Sequence, residues 1–288
     1  MSEKLSELVS SVEQIVSFPE VFLRVNQLLD DPECTAIQIA EVISQDPGLT
    51  AQLLRMANSP LYGLSKEVDT VVRAVNIIGT KRLRYLVLAT TSLKVFEGIP
   101  NDLISMDDFW LHSLYCGLAA KTLAEDIKGL QPDALFVAGQ LHDIGQLLMY
   151  SRLPELAREA VMLSIEEPDE PDFYLSERQV IGFDHAQLGA QLARDWHWPA
   201  MLVATIGWHH EPEKADEFQL ETAVVHIANS LAVLAELDSR DTEETDAPRI
   251  HPQAWEMIGL NEEIIPDVLE SIRGQFEQTR ALLRGQGL

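Results

Sequence analysis

Apolar residues along this chain recur mostly three and four positions apart, the spacing that gathers them on one face of a helix. Residues 5–16 and 20–30 both show it, separated by Ser17-Phe18-Pro19. Thr35 with Gln38 reads as a capping box opening a helix to about Ser44. Asp46-Pro47 reads as an N-cap with proline at the first helical position, starting a helix to about Ala57. Asn58-Ser-Pro-Leu-Tyr-Gly63 is turn chemistry. Helices are predicted next at about 70–78 and 81–96, the second apolar on most sides and expected in a core. Beyond a break at Glu97–Asn101, further helices are predicted at about 107–127, 133–150, 153–165, 175–181, 185–195, 199–208 and 219–237. Residues 238–252 are acidic and contain proline, which predicts an exposed loop. The tail from Glu262 to about Arg284 reads as one long amphipathic helix. No alternation of period two is long enough for a sheet, so the fold class is all-α. The breaks suggest an N-terminal helical bundle over 1–100, a second helical half over 101–240, and a loop with a C-terminal helix over 241–288.

One stretch departs from the pattern in composition. Residues 134–150 are hydrophobic on nearly every face of a helix, yet they enclose His142-Asp143. Burying an ionised aspartate without a partner costs several kcal/mol or more, so Asp143 needs a companion. A metal ion would serve. An arginine beside the aspartate, with a carbonyl for the histidine, would meet the same need.

Seven of the eight histidines lie between residues 112 and 226. His112, His142, His185 and the pair His209-His210 fall at predicted helix ends or beside turns. They can share one site only if their helices converge, which is how helical bundles build buried metal centres. Imidazoles with few carboxylates favour iron, manganese, zinc or nickel over magnesium or calcium. His197, between two tryptophans, suits packing at a helix boundary, and His251 in the acidic loop is expected in solvent. His226 and Asn229 share one helix face. Gly117 and Gly189, inside helices, predict close helix contacts.

Twenty-one basic residues against 46 acidic ones give a net charge of −25. Such a field repels nucleic acid and anionic membrane surfaces, so neither is an expected partner. A small anionic ligand would need a local positive centre such as a metal. With 46% apolar residues the chain is globular, and no uncharged 18-residue run predicts a membrane span. The acidic, amphipathic start is unlike a signal peptide. Two cysteines, Cys34 and Cys116, fit a reducing cytoplasm, the expected location. Cys116 follows His112 by four residues, but a small core residue explains it better than a thiol ligand.

Two blocks of residues carry a family resemblance. The first is Ile43-Ser-Gln-Asp-Pro-Gly-Leu-Thr-Ala-Gln-Leu-Leu-Arg-Met-Ala-Asn-Ser-Pro-Leu-Tyr-Gly63 with Ala74-Val-Asn-Ile-Ile-Gly79. The second is Leu141-His-Asp-Ile-Gly145, Asp184-His185 with Gly189, Trp196 and Pro199, His209-His210, and Val225-His-Ile-Ala-Asn229. Over about residues 15–235 the chain resembles the HDOD (HD-related output domain) family within the HD superfamily of metal-dependent phosphohydrolases. The resemblance implies an all-helical fold with an N-terminal bundle packed on an HD-like half. It also implies that His112, His142, Asp143, His185, His209, His210 and Asn229 stand at metal-ligand positions, holding one or two ions. Three features differ from the catalytic relatives, which include the HD-GYP cyclic-dinucleotide phosphodiesterases. Asn229 stands where Asp is usual, Gln146 stands where Lys commonly follows HDIG, and the Gly-Tyr-Pro motif is absent.

An asparagine brings no charge, which leaves Asp143 as the sole anionic ligand and favours one ion over two. Without a lysine at 146, a cation that could stabilise a transferring phosphoryl group is missing. The resemblance therefore implies a signalling or output module of low catalytic power, with a signalling protein or a small anion such as a nucleotide as partner. The alternatives are a metal-dependent phosphohydrolase, with Asp143 and His210 as candidate catalytic residues, and an adaptor without metal. In the N-terminal bundle Tyr62 and Leu64 suit either packing or a docking surface.

Overall fold

The computed structural model describes residues 20–31, 33–59, 67–96, 103–166, 172–240 and 250–283. Among them there is no strand, as the hydrophobic spacing requires. The helix expected at 5–16, the breaks at 17–19 and 97–101, and Tyr62 and Leu64 lie outside the described residues. Contacts divide the chain into two units, one drawn from the described residues of 17–98 and from 273 on, the other from those of 99–272.

The first unit holds α1 (Glu20–Asp30), α2 (Ala36–Ile43), α3 (Pro47–Ala57), α4 (Val71–Ile78) and α5 (Thr80–Phe96). Its helix starts follow local chemistry. Both bonds of the Thr35–Gln38 capping box are made at the head of α2, and Asp46 Oδ1 accepts the Leu49 N–H at 3.0 Å to open α3. Asn58 does more than turn the chain. Its Nδ2 donates to the Val68 carbonyl at 2.8 Å and its Oδ1 accepts the Val68 N–H at 2.7 Å, closing the connection to α4. Leu83, Leu86, Val87, Leu88 and Ala89 of α5 are buried, as its all-round apolarity predicts.

The second unit runs through α6 (Met106–Glu125), α7 (Pro132–Leu141), α8 (Ile144–Arg152), α9 (Pro154–Glu166), α10 (Phe173–Ile181), α11 (His185–Asp195), α12 (Ala200–Trp208), α13 (Gln219–Arg240), α14 (Pro252–Ile258) and the start of α15 (Ile265–Leu283), whose residues from Arg273 on belong to the first unit. α6 packs on α7 and α13, α8 on α11, and α11 on α12. Two of these contacts are backbone to backbone at glycine. A Cβ on Gly117 would lie 2.8 Å from the Phe136 carbonyl oxygen, and one on Gly189 would lie 3.1 Å from the Gly145 nitrogen. The close contacts expected at Gly117 and Gly189 are there. By length and composition Gln219–Leu237 could cross a membrane, but 61% of that stretch is buried in the protein.

Two expectations need correction. The single helix predicted at 133–150 breaks at His142-Asp143 into α7 and α8. The predicted gap after the acidic loop contains a helix, α14. Proline near its start and a left-handed Gly259 (φ 70°) at its end are ordinary helix boundaries.

Candidate metal centre

Asp143 stands where the chain turns from α7 into α8, at φ −96° and ψ 11°. An aspartate at a helix N-cap ordinarily accepts an N–H two or three residues on, and Asp143 makes no such bond. Its carboxylate faces four imidazoles instead. Oδ2 lies 3.2 Å from His142 Nε2 and 3.8 Å from His112 Nε2. Oδ1 lies 3.2 Å from His185 Nε2 and 3.4 Å from His209 Nε2. His210 joins from the side, its Nε2 2.9 Å from His185 Nε2 and its ring stacked on Tyr174 at 4.4 Å.

All four rings around the carboxylate are turned the same way. His142 Nδ1 lies 2.7 Å from the Gly139 carbonyl and His209 Nδ1 2.8 Å from the Ile206 carbonyl. His112 Nδ1 lies 2.7 Å from Glu236 and His185 Nδ1 2.6 Å from Glu177. A carbonyl oxygen only accepts, so Nδ1 of His142 and His209 carries the hydrogen and Nε2 of the neutral ring is a bare lone pair. His142 Nε2, His209 Nε2 and Asp143 Oδ1 are buried with no hydrogen-bond partner among the described residues. Lone pairs and a carboxylate converging on one buried space are tolerable only around a cation. Imidazole nitrogen with one carboxylate suits a divalent transition ion, and ligand histidines commonly spend their other nitrogen on such outer bonds. The donor atoms fall into two groups that share Asp143: His112, His142 and Asp143, and Asp143, His185, His209 and His210. Within each group they lie within 4.8 Å of one another.

Without an ion, protons take up part of the load. Burial would lower the His142 ring, but the Asp143 carboxylate beside it holds it well above 6.5. Burial likewise opposes charge on His185, and Glu177 outweighs it, pushing the ring up to about 10. Asp143 stays well below the usual carboxylate range because His142 overcomes its burial. His209 is pushed down to about 4 by burial, and His210 is lowered by burial and by His209. A ligating His185 must surrender its proton, so metal competes with protons below pH 10 and should bind more tightly as pH rises. Titrating chelator-treated protein with Zn2+ at pH 7 is expected to release about one proton or more. Calorimetry in buffers of different ionisation enthalpy measures it, and identical heats in all buffers would contradict the assignment.

His226, His251, His197 and Cys116 lie outside both ligand groups. His226 Nδ1 donates to the His209 carbonyl at 2.8 Å, and its Nε2 accepts the His251 N–H at 3.0 Å, so both nitrogens are occupied. His251, expected in solvent, is half-buried with its ring edge-to-face on His226 at 5.1 Å. His197 is exposed. Cys116 is buried beside His142, outside both ligand groups. Asn229 is half-buried on the same face of α13 as Glu236, two turns earlier. No arginine neutralises Asp143 among the described residues. Arg178 instead bonds Asp184 and Glu211, each at 2.6 Å.

Sequence reasoning missed Glu177 and Glu236. Glu177 is fully buried, and the signal for it was an acidic residue close before Asp184-His185. Glu236 meets His112 across 124 residues, and nothing local marks it.

The profile of the HDOD domain matches residues 15–212. The chain belongs to the HDOD family. Among solved structures, an HDOD domain protein of unknown function from Geobacter sulfurreducens is 25% identical, with 98% of both chains covered and a TM-score of 0.71. A Shewanella amazonensis SB2B protein with a provisional phosphohydrolase name is 26% identical, covering 96% of this chain and 97% of that one, also at a TM-score of 0.71. A Treponema pallidum (strain Nichols) protein described only as uncharacterized is 25% identical over 227 residues. That match takes in 78% of this HDOD chain but 43% of the relative, so the chain spans less than half that protein's length.

Proposed function

We propose that this HDOD protein is a regulatory output module whose HD-like half binds one or two divalent transition ions and does not turn substrate over efficiently. The observation behind it is the set of buried, unbonded Nε2 atoms of His142 and His209 facing the Asp143 carboxylate. His112, His142 and Asp143 would hold one ion, and Asp143, His185, His209 and His210 a second, with the Asn229 carbonyl oxygen available on α13. Bound there, a divalent ion supplies a positive centre for an anion and lowers the pKa of an attached water.

The chain's own residues argue for binding over turnover. Gln146 brings no cation next to the HD pair, and Asn229 brings no charge. The ring of His210 is held flat against Tyr174 and is kept neutral, so it can accept a proton but does not store one. A signal would then arrive through a partner protein or a small anion such as a nucleotide, a role suited to the cytoplasm.

The second reading, a metal-dependent phosphohydrolase with Asp143 and His210 in catalysis, draws on the convergence of all six side chains and on the provisional name of the Shewanella relative. Protein reconstituted with Mn2+, Fe2+ or Zn2+ should be assayed on a cyclic dinucleotide and a chromogenic phosphodiester. The expected result is bound metal with turnover at least a hundredfold below the ~10 s−1 of ordinary enzymes. Metal-dependent turnover near that rate, lost in His142→Ala and Asp143→Ala, would establish the hydrolase instead. A metal-free protein whose His142→Ala variant still binds its partners would point to a plain adaptor.

A further inference from the structure

Each side of the centre has a carboxylate one ring removed from it. Glu177, wholly buried on α10, takes both the backbone N–H of His185 at 2.8 Å and its Nδ1 at 2.6 Å on the same oxygen. Glu236 on α13 lies 2.7 Å from Nδ1 of His112, and its side chain is 16% exposed. The rings so held present Nε2 to opposite oxygens of Asp143, His185 to Oδ1 and His112 to Oδ2. Glu177 therefore serves one ligand group and Glu236 the other. α13 touches the centre twice, through His226 at the His209 carbonyl and through Glu236 at His112. Asn229 lies between those points on the same helix face and offers an amide without charge.

We propose that Glu177 and Glu236 are positioning residues that fix the tautomers of His185 and His112 and supply, through those rings, negative charge that the direct ligand set lacks. The proposal rests on the metal-binding reading of the centre. A carboxylate on Nδ1 makes Nε2 a better donor to a cation and holds the ring in plane, and losing such a partner typically weakens metal binding about 10–100-fold. With Asp143 alone, two divalent ions would face a charge of −1; with both glutamates they face −3.

The test uses the full chain, stripped with a chelator and titrated with Mn2+ by calorimetry. Glu177→Gln and Glu236→Gln keep the shape and the accepting oxygen but remove the charge. Each is expected to weaken Mn2+ binding about 10–100-fold. Glu236→Gln should leave the melting temperature of the ion-free protein unchanged, which a merely structural role would lower. Glu177→Gln should lower it, because it takes the carboxylate from the buried His185 ring. Glu236→Asp should recover part of the loss. Adding Asn229→Asp to Glu236→Gln should restore affinity to within about threefold, because the returned charge stands on the same helix face. Should Glu177→Gln fail to fold, Glu236→Gln and its Asn229→Asp partner decide the matter alone. Wild-type affinity in the glutamine variants would overturn the proposal while leaving the metal centre intact. A wild-type chain that takes up no Mn2+, Fe2+ or Zn2+ would overturn both.

Discussion

Asp143→Asn is expected to empty the centre of metal. The carboxylate touches both ligand groups, one oxygen to each, so no other single change removes a donor from both. The amide that replaces it is neutral and can donate to the bare nitrogen of His142 or His209, so the variant should fold. Its ion-free form should melt lower than the ion-free parent at neutral pH, since the carboxylate paired with the buried His142 has gone. Metal affinity should fall by at least about a hundredfold, the upper end of what losing even an outer partner costs. Elemental analysis of protein purified in parallel, with thermal melting in excess chelator, reads both effects. Full metal content in the variant would mean that imidazoles alone hold the ion and that Asp143 has another purpose.

Gly145→Ala is the largest expected loss of stability. An added Cβ would lie 2.0 Å from the His185 carbonyl oxygen and 2.7 Å from the Gly189 nitrogen. Both obstacles are backbone, so no side-chain rotation relieves them, and α8 must move away from α11. Overpacking of this kind costs about 3 kcal/mol, which for a unit of this size lowers the melting temperature by about 6–12 °C. Because the displaced backbone is that of His185, metal binding should weaken as well. Gly274→Ala makes a control: its Cβ meets nothing within 4 Å, and helical alanine is favoured over glycine by roughly 0.5–1 kcal/mol. Equal melting temperatures for Gly145→Ala and the parent would show that the two helices can separate freely.

Much of the helical frame was legible because its causes are local. Thr35, Gln38, Asp46 and Pro47 act on backbone groups within four residues, so their effect can be judged without knowing the rest of the fold. The same holds for the glycines at helix crossings, where the missing side chain is itself the message. α14 was missed although Pro252 and Gly259 bracket it, because the acidic run before it dominated the local pattern. The break between α7 and α8 was hidden for a deeper reason. The apolar run continues through it, and nothing adjacent to Asp143 tells that its carboxylate leaves the helix cap to face, besides His142, imidazoles from three other places in the chain.

From the chain alone came the all-helical class, the demand of Asp143 for a cationic companion, and the side chains able to help meet it. Those follow from residue type and burial, which composition and periodicity express. Which nitrogen of each ring points inward was settled only by folding. A tautomer depends on what lies at the opposite nitrogen, and those groups are the carbonyls of Gly139 and Ile206 and the carboxylates of Glu177 and Glu236. The pairing of Arg178 with Asp184 and Glu211, which leaves Asp143 to the histidines, is likewise a fact of packing.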